Sequence, residues 1–283
     1  MKERNFFQIV TIGVIGLWLI IFVLIPNIMV FAVSFMERSE TSFIKAVFTL
    51  DNYTAFFSSM YFSIFADSFR IAFITTVACL IIGYPFAYIL ARSNSKYKGL
   101  FALFVIIPYW TSALIRTYAV KVILTTNGII NTILIKTGII NEPLNMLYTE
   151  GAVIMGLVYT LLPFMILPLY AAIDKLDTRY IEASLDLGAS KLQTFTHVII
   201  PITVPGIVAG SLLVFLPALG LFYIPDILGG AKSILIGNLI RDQFLNSRNW
   251  PFGAAATNIL MVVMAFMLFA YYKSVKTINK KVL

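Results

Sequence analysis

Residues 174–201 read DKLDTRYIEASLDLGASKLQTFTHVIIP, a polar stretch between two long apolar runs. Its first half carries apolar and small residues at the spacing i, i+3, i+4 and i+7, which predicts a helix. Those residues are Tyr180, Ala183, Ser184 and Leu187. Gly188 is expected to end or bend that helix, and Ser190 to begin a second short one. We therefore expect a compact helix–turn–helix, with Pro201 marking the return of the chain into the next apolar run.

The apolar runs beside this loop belong to a set of six that contain no charged residue. They cover residues 6–36, 71–91, 99–115, 151–173, 204–225 and 249–272. A helix needs about 20 apolar residues to cross a membrane, and each run can supply nearly that many. The whole chain is 60% hydrophobic and 12% charged, whereas soluble domains are about 45–50% apolar and about 25% charged. These features predict an all-α integral membrane protein with six transmembrane helices, and no strand alternation favours a barrel.

The first apolar run is too long for the core of a cleavable signal, which is about 7–15 residues. We interpret it as an uncleaved helix within a segment 1–67 that includes an outer loop. Residues 68–275 are then a core of five helices with the loop 174–203, and 276–283 are a tail. The outer loops 37–70 and 116–150 are expected to hold interfacial helices. Gly206 and Gly210 form a small-xxx-small pair that predicts close helix packing.

The distribution of basic residues predicts the orientation of the chain. With the first residue inside, the inner segments 1–10, 92–99, 174–203 and 273–283 hold 12 basic and 5 acidic residues. The outer segments hold the remaining 9 basic and 8 acidic residues over a greater length. This is the positive-inside pattern, so both termini are expected to be cytoplasmic. The net charge of +8 does not indicate a nucleic-acid partner, because the basic residues lie between apolar runs and form no stripe.

The loop resembles the signature Glu-Ala-Ala-x3-Gly-x9-Ile-x-Leu-Pro of ABC-importer permeases. The residues that match in register are Glu182, Ala183, Gly188 and Pro201. Small or apolar replacements stand at Ser184, Val198 and Ile200. Four further stretches, 50–54, 158–165, 186–232 and 250–254, are similar to the B-type permeases of spermidine/putrescine importers. The resemblance therefore covers almost the whole chain.

This resemblance implies the type I importer permease fold with cytoplasmic coupling helices, in a bacterial inner membrane. It also implies three kinds of partner: a second, homologous permease, a dimer of ATPase subunits that binds ATP and Mg²⁺, and a periplasmic polyamine-binding protein. In such permeases the loop docks on the ATPase, which assigns coupling to Glu182, Ala183, Ser184 and Gly188. Small side chains would permit close approach, and the Glu182 carboxylate could pair with an arginine across the interface.

A polyamine is a flexible polycation, so its path is expected to use carboxylates and aromatic faces. Asp226 follows the fifth run, and an acidic residue at membrane depth is a functional candidate. Tyr109 and Trp110 follow Pro108, where a kink could turn their rings toward a path. Further aromatic candidates are Trp18, Tyr223 and Tyr271. For each of these residues, a solvated helix end or an interfacial anchor is the alternative interpretation.

Other functions find less support in the sequence. His197 is the only histidine, and there is no phosphate-loop, zinc-protease or Gly-x-Ser-x-Gly motif. We therefore expect no catalytic residue, metal or cofactor in this chain. A related importer of an anionic cargo would need Arg or Lys inside a span, and the predicted runs contain none. A self-sufficient secondary carrier would need buried carboxylates there, and the predicted runs contain none of these either.

Overall fold

The computed structural model describes residues 6–39, 43–93, 98–230 and 233–282, with the backbone alone at 6, 7, 102 and 274–282. Six helical segments in this part of the chain are long and apolar enough to cross a membrane. They are Gln8–Val33, Ser59–Arg92, Ala113–Lys136, Glu150–Asp174, Lys191–Gly220 and Trp250–Lys273. The predicted all-α architecture with six candidate membrane helices is therefore confirmed, with changes in several boundaries.

The described residues form α-helices of different lengths and one β-hairpin. The α-helices are α1 (Phe6–Leu19), α2 (Ile25–Val33), α3 (Asp51–Phe56), α4 (Ser59–Arg92), α5 (Lys98–Ile106), α6 (Ala113–Leu124), α7 (Ile129–Lys136), α8 (Glu150–Asp174), α9 (Thr178–Asp186), α10 (Lys191–Thr194), α11 (Ile200–Gly220), α12 (Ile236–Leu245) and α13 (Trp250–Val282). Antiparallel strands β1 (Met36–Ser39) and β2 (Phe43–Phe48) form the hairpin. Wider π-helical turns lie at Ile20–Leu24, Phe195–Ile199 and Pro225–Gly229.

The predicted third span, 99–115, is wrong as a single helix. Its residues form α5, a 3₁₀ turn at Ile107–Trp110, and the start of α6. Pro108 lies in that turn, and Thr111 and Ser112 adopt extended backbone angles that separate the two helices. The segment long enough to span is instead Ala113–Lys136, which α6 and α7 form together.

The outer loop 37–70 also differs from expectation. A helix is present there as α3, but the β1–β2 hairpin precedes it and α4 begins twelve residues before the predicted 71. Because α4 starts at Ser59, Asp67 and Arg70 lie within a helix and not at its boundary. In the loop 116–150, α7 carries the expected apolar residues Ile129, Ile130 and Leu134.

The chain divides into two compact units. The first comprises Met1–Phe62 and Leu239–Met264. Its interior contains a polar cluster in which the Asn258 amide donates to Ser34 Oγ at 2.9 Å and to the Tyr53 hydroxyl at 3.3 Å. The amide of Asn52 donates to the Ser34 carbonyl at 3.0 Å. These bonds connect the end of α2, α3 and α13.

The second unit comprises Ser63–Asn238 and Ala265–Leu283. Its central pair is α8 against α11, and the predicted glycine pair lies in their contact. A Cβ atom on Gly206 would lie 2.5 Å from Ala172 Cβ, and one on Gly210 would lie 2.8 Å from Met165 Sδ. The close packing predicted for Gly206 and Gly210 is therefore confirmed, since a side chain at either position would push the helices apart.

Candidate functional site

The loop 174–203 begins where α8 ends. The Asp177 carboxylate accepts a hydrogen bond from the Arg179 N–H at 3.0 Å and so caps α9. A Schellman pattern closes α9: the Ala189 N–H donates to the Ser184 carbonyl at 3.1 Å, and Gly188 donates to Leu185 at 2.9 Å. Gly188 has φ +84°, a left-handed conformation that glycine adopts without steric cost. The predicted helix and its glycine stop are confirmed.

A second helix starts immediately after the turn. Ser190 and Gln193 form a capping box, with the Gln193 N–H donating to Ser190 Oγ at 3.3 Å and the Ser190 N–H donating to Gln193 Oε1 at 2.8 Å. This helix, α10, continues without interruption through the π turn into α11. The helical segment that leads into the next apolar run therefore begins before Pro201, and that proline lies inside the first turn of α11.

One hydrogen bond fastens the two arms of the loop to each other. The hydroxyls of Ser184 and Thr194 lie 2.6 Å apart, and Thr194 is buried. Ser184 replaces the second alanine of the signature, and the sequence suggested only that it is small. The structure gives this serine a hydrogen-bonding partner ten residues later, which an alanine could not bind.

The outer surface of the loop is open. Glu182, Ala183 and Gly188 are exposed, and Leu187 is 88% exposed. Leu192 on α10 is 72% exposed. Large apolar side chains left open beside a carboxylate are typical of a surface that another protein covers. The sequence placed Leu187 on the helical apolar face but did not indicate that it would point outward.

The loop is also fastened to the neighbouring helices. The Arg92 guanidinium, at the end of α4, donates to the Leu176 carbonyl at 3.1 Å. Lys98, at the start of α5, pairs with Asp174. Deeper in the unit, the hydroxyls of Tyr84 and Thr203 lie 2.9 Å apart, and the Phe195 ring packs edge-on against Tyr84. A displacement of the loop would therefore be transmitted to α4 and α5.

A cavity of about 580 Å³ lies between α4, α5 and α8. Its apolar walls include Ile82, Phe86, Phe101, Phe104, Leu162 and Ile166. Polar groups enter it from Ser93, Tyr109, Arg116 and Tyr159. Binding pockets commonly have about 300–1,000 Å³ and apolar walls with a few polar groups, so this cavity has the dimensions of a small-molecule site.

Tyr109 is held firmly at this cavity. Its hydroxyl donates to the Thr160 carbonyl, its ring packs edge-on against Phe164 at 5.3 Å, and the Arg116 guanidinium lies 4.6 Å from the ring centroid. The sequence did not indicate Arg116 as a site residue. The expectation that no basic residue lies inside a span is wrong for Ala113–Lys136, which contains Arg116 and Lys121.

Asp67 and Glu150 both pair with Arg70. Asp67, inside α4, lies 3.4 Å from Arg70, and Arg70 also lies 2.7 Å from Glu150. The expectation that no acidic residue lies inside a span is therefore wrong as well, since Ser59–Arg92 contains Asp67. This carboxylate is half exposed and ion-paired.

Asp226 lies in the π-helical turn after α11 and is half-buried. The Asn238 amide donates to Asp226 Oδ1 at 2.6 Å and to the Phe222 carbonyl at 2.8 Å, so it fastens α12 to this turn. Asn238 is buried. The sequence did not indicate its contact with Asp226, because the two residues lie twelve positions apart. Tyr223 lies next to this turn and is also half-buried.

The remaining candidates lie elsewhere. Trp110 is 76% exposed in the 3₁₀ turn, although Tyr109 beside it enters the cavity. Trp18 is exposed on α1, where its ring packs against Phe22 at 5.5 Å. Tyr271 is half-buried on α13. Exposed apolar rings on a membrane helix are typical of surfaces that contact lipid.

Known proteins resemble this chain in sequence. Residues 83–280 match the family described as "Binding-protein-dependent transport system inner membrane component". The chain is 51% identical over 282 residues to the spermidine/putrescine transport system permease protein PotB of Salmonella typhimurium (strain SL1344), which covers 100% of this chain and 98% of the relative. It is 52% identical over 265 residues to PotB of Escherichia coli (strain K12), covering 94% and 96% of the two chains.

The fold is shared with more distant proteins of known structure. A chain of a bacterial alginate ABC transporter, in complex with an alginate pentasaccharide-bound periplasmic protein, superposes with a TM-score of 0.77 at 17% identity. The match covers 95% of this chain and 93% of that one. The resemblance seen in the loop 174–203 is thus confirmed over most of the molecule. The chain belongs to the family of binding-protein-dependent transport system inner membrane components, as a multi-pass permease subunit.

Proposed function

We propose that this protein is the membrane-spanning subunit of an ATP-driven importer that moves spermidine and putrescine into the cytoplasm. The observation that carries the proposal is the identity of 51% over the whole chain to permeases named for these two cargoes. Substrate class is commonly retained at this level of similarity when the match leaves no domain uncovered. The cavity at Tyr109 supports it, because aromatic faces bind ammonium groups and apolar walls accommodate methylene chains.

Energy enters through the loop 174–203. The chain has no phosphate-binding loop of its own, so ATP and Mg²⁺ are bound by an ATPase partner. Glu182 offers an exposed carboxylate to that partner, Ala183 permits close approach, and Leu187 offers an apolar side chain that docking would bury. The bond between Ser184 and Thr194 keeps both arms of the loop in register, so that the loop moves as one body.

Docking of the loop on the ATPase needs a tight contact, whereas the cargo path needs several weak contacts in succession. Asp226 and Tyr223 offer a carboxylate and a ring at the outer end of α11, and Tyr109 offers a second ring at the cavity. A polycation that binds each group weakly can leave it again, which alternating access requires. Trp110, Trp18 and Tyr271 remain candidates for the same path.

The assembly proposed for this chain contains a second, homologous permease, two ATPase subunits and a periplasmic polyamine-binding protein. Both termini and the loop 174–203 lie on the cytoplasmic side, and the hairpin β1–β2 and the loop after α7 lie outside. The proposal rests on the excess of basic residues in the inner segments. ATP binding closes the ATPase dimer, displaces the loop and, through Arg92 and Lys98, opens the helices outward.

The test is ATP-dependent uptake of radiolabelled spermidine into proteoliposomes that hold the whole complex. Glu182→Ala and Gly188→Asp are expected to reduce uptake at least tenfold, and the first to weaken ATPase docking, while the binding protein still loads spermidine. Glu142→Ala is the matched control, because Glu142 is also an exposed glutamate but lies in the loop after α7. Full uptake by both loop variants would contradict the coupling role.

An anionic cargo is the second candidate, because Arg116 and Lys121 lie inside the candidate membrane-spanning segment Ala113–Lys136. The same proteoliposomes distinguish the two. Excess unlabelled putrescine is expected to compete with spermidine uptake, and phosphate or sulfate at the same concentration is not. Uptake of labelled sulfate or phosphate without spermidine uptake would favour the second candidate.

A further inference from the structure

We propose that Arg116 is a resident cation: its guanidinium occupies an ammonium site over the Tyr109 ring while the cavity is empty of cargo, and leaves that site when a cargo ammonium enters. This inference rests on the proposed transport of polyamines and adds the residue that controls access to one point of the path. The guanidinium carbon lies 4.6 Å from the Tyr109 ring centroid, within the distance of a cation–π contact.

The ring that receives the cation is fixed before any ligand arrives. The Tyr109 hydroxyl donates to the Thr160 carbonyl, and Phe164 packs against the ring edge at 5.3 Å. Both contacts come from α8, whereas Arg116 comes from α6. Because the ring is held by α8 and the guanidinium comes from α6, one cation can replace another while the ring keeps its position.

Arg116 is only partly satisfied in this position, because its guanidinium contacts Tyr109 but its Nε does not find an acceptor in the described chain. It makes no ion pair with a carboxylate of the described residues, and its Nε is buried without a hydrogen-bond partner among them. A buried donor without an acceptor costs free energy that water or an anion would return. The unsatisfied Nε offsets part of what the guanidinium gains over the ring, so an incoming ammonium has less to displace.

The cavity around this contact has the chemistry of a polyamine segment. Of the described residues that line it, Arg116 alone is charged, and the walls are aliphatic and aromatic. Methylene groups can pack on Phe101, Phe104 and Leu162, while an ammonium replaces the guanidinium over Tyr109. With no carboxylate in the lining, the cargo is held weakly, and Arg116 repels it whenever the guanidinium has not moved away.

Lys121 provides a comparison on the same helix. Its Nζ lies 5.9 Å from the Tyr118 ring and 5.7 Å from the Tyr148 ring, which are longer contacts than that of Arg116, and it does not line the cavity. Removing its charge therefore changes the total charge of α6 by the same amount without vacating the site at Tyr109.

The experiment measures binding of radiolabelled spermidine to the complete permease–ATPase complex in nanodiscs, without the binding protein. Arg116→Met removes the charge but keeps an unbranched, flexible side chain, and is expected to tighten spermidine binding about three- to tenfold. Arg116→Gln is the second variant and is expected to change the Kd in the same direction. Arg116→Lys keeps a cation and Lys121→Met is the matched control; both are expected to remain within about twofold of the parent.

The ring is tested in the same series. Tyr109→Leu, combined with Arg116→Met, is expected to abolish the gain, because the vacated site no longer has an aromatic face. An unchanged or weaker Kd in both Arg116→Met and Arg116→Gln, or a gain that survives loss of the ring, would overturn the inference. Spermidine uptake by the parent complex with its binding protein separates the two proposals: if the parent does not transport spermidine, the proposed function fails first, and if it does, only the role of Arg116 is in question.

Discussion

Single residues in the loop 174–203 carry roles that the signature alone does not assign. Ser184 stands where the signature has alanine, and its hydroxyl contacts that of Thr194 at 2.6 Å. Gly188 ends α9 at φ +84°, where its position is open and no side chain lies within 4 Å. One hydroxyl pair and one backbone conformation thus help to hold the loop, and both can be changed without filling a cavity.

Ser184→Ala is expected to weaken the loop through loss of this hydrogen bond, by about 0.5–1.5 kcal/mol. Thr194→Val removes the other partner with little change of shape. A double-mutant cycle on the affinity of the permease for its ATPase should give a coupling energy of that size between the two positions. Additive effects would mean that the hydroxyl pair does not support the docking surface. Thr196→Val is the control, because the Thr196 hydroxyl bonds only to its own turn and to His197 in the described chain.

At the scale of elements, the packing of α8 on α11 decides the stability of the second unit. Helices in a membrane gain little from hydrophobicity when they associate, so close contact between backbones matters more. Gly206 and Gly210 allow that contact along one face of α11. Unlike α11, the apolar run 99–115 does not form one continuous helix, because residues 111–112 adopt extended backbone angles between α5 and α6.

Gly206→Ala places a Cβ atom 2.5 Å from Ala172 Cβ and 3.0 Å from the Pro168 carbonyl oxygen. Since neither a short side chain nor a backbone atom can yield easily, we expect destabilisation of about 1–3 kcal/mol. Thermal unfolding of the purified complex, followed by size-exclusion chromatography, measures it as a lower Tm. Gly16→Ala on α1 is the matched control, because nothing lies within 4 Å of its Cβ position and alanine favours the helix. Equal Tm values for both variants would show that α8 and α11 are not tightly packed.

At the scale of the whole molecule, orientation in the membrane is the property that determines which loop meets the ATPase. The basic residues predict that the loop 174–203 faces the cytoplasm and that the loop after α7 faces outward. Leu187 is 88% exposed and Glu142 is exposed, so both positions can be labelled without unfolding the chain.

A single-cysteine experiment tests this orientation. Cys79 is the only cysteine and is buried, so Cys79→Ala gives a background that a membrane-impermeant maleimide should not label. Leu187→Cys is expected to react only in inside-out vesicles, and Glu142→Cys only in right-side-out vesicles. Labelling in the reverse pattern would place the loop 174–203 outside and would contradict the coupling role with it.

The sequence by itself determined the six apolar segments, the helix–turn–helix at 174–201 and the family, because these depend on local composition, glycine placement and spacing. It misplaced the third span, since a charge-free run at 99–115 reads the same whether it is one helix or two. Only the tertiary structure brought Arg116 onto the Tyr109 ring, Ser184 to Thr194 and Asn238 to Asp226. The residues in each of these contacts come together only when the chain folds. A local sequence pattern therefore does not predict which partner each side chain contacts.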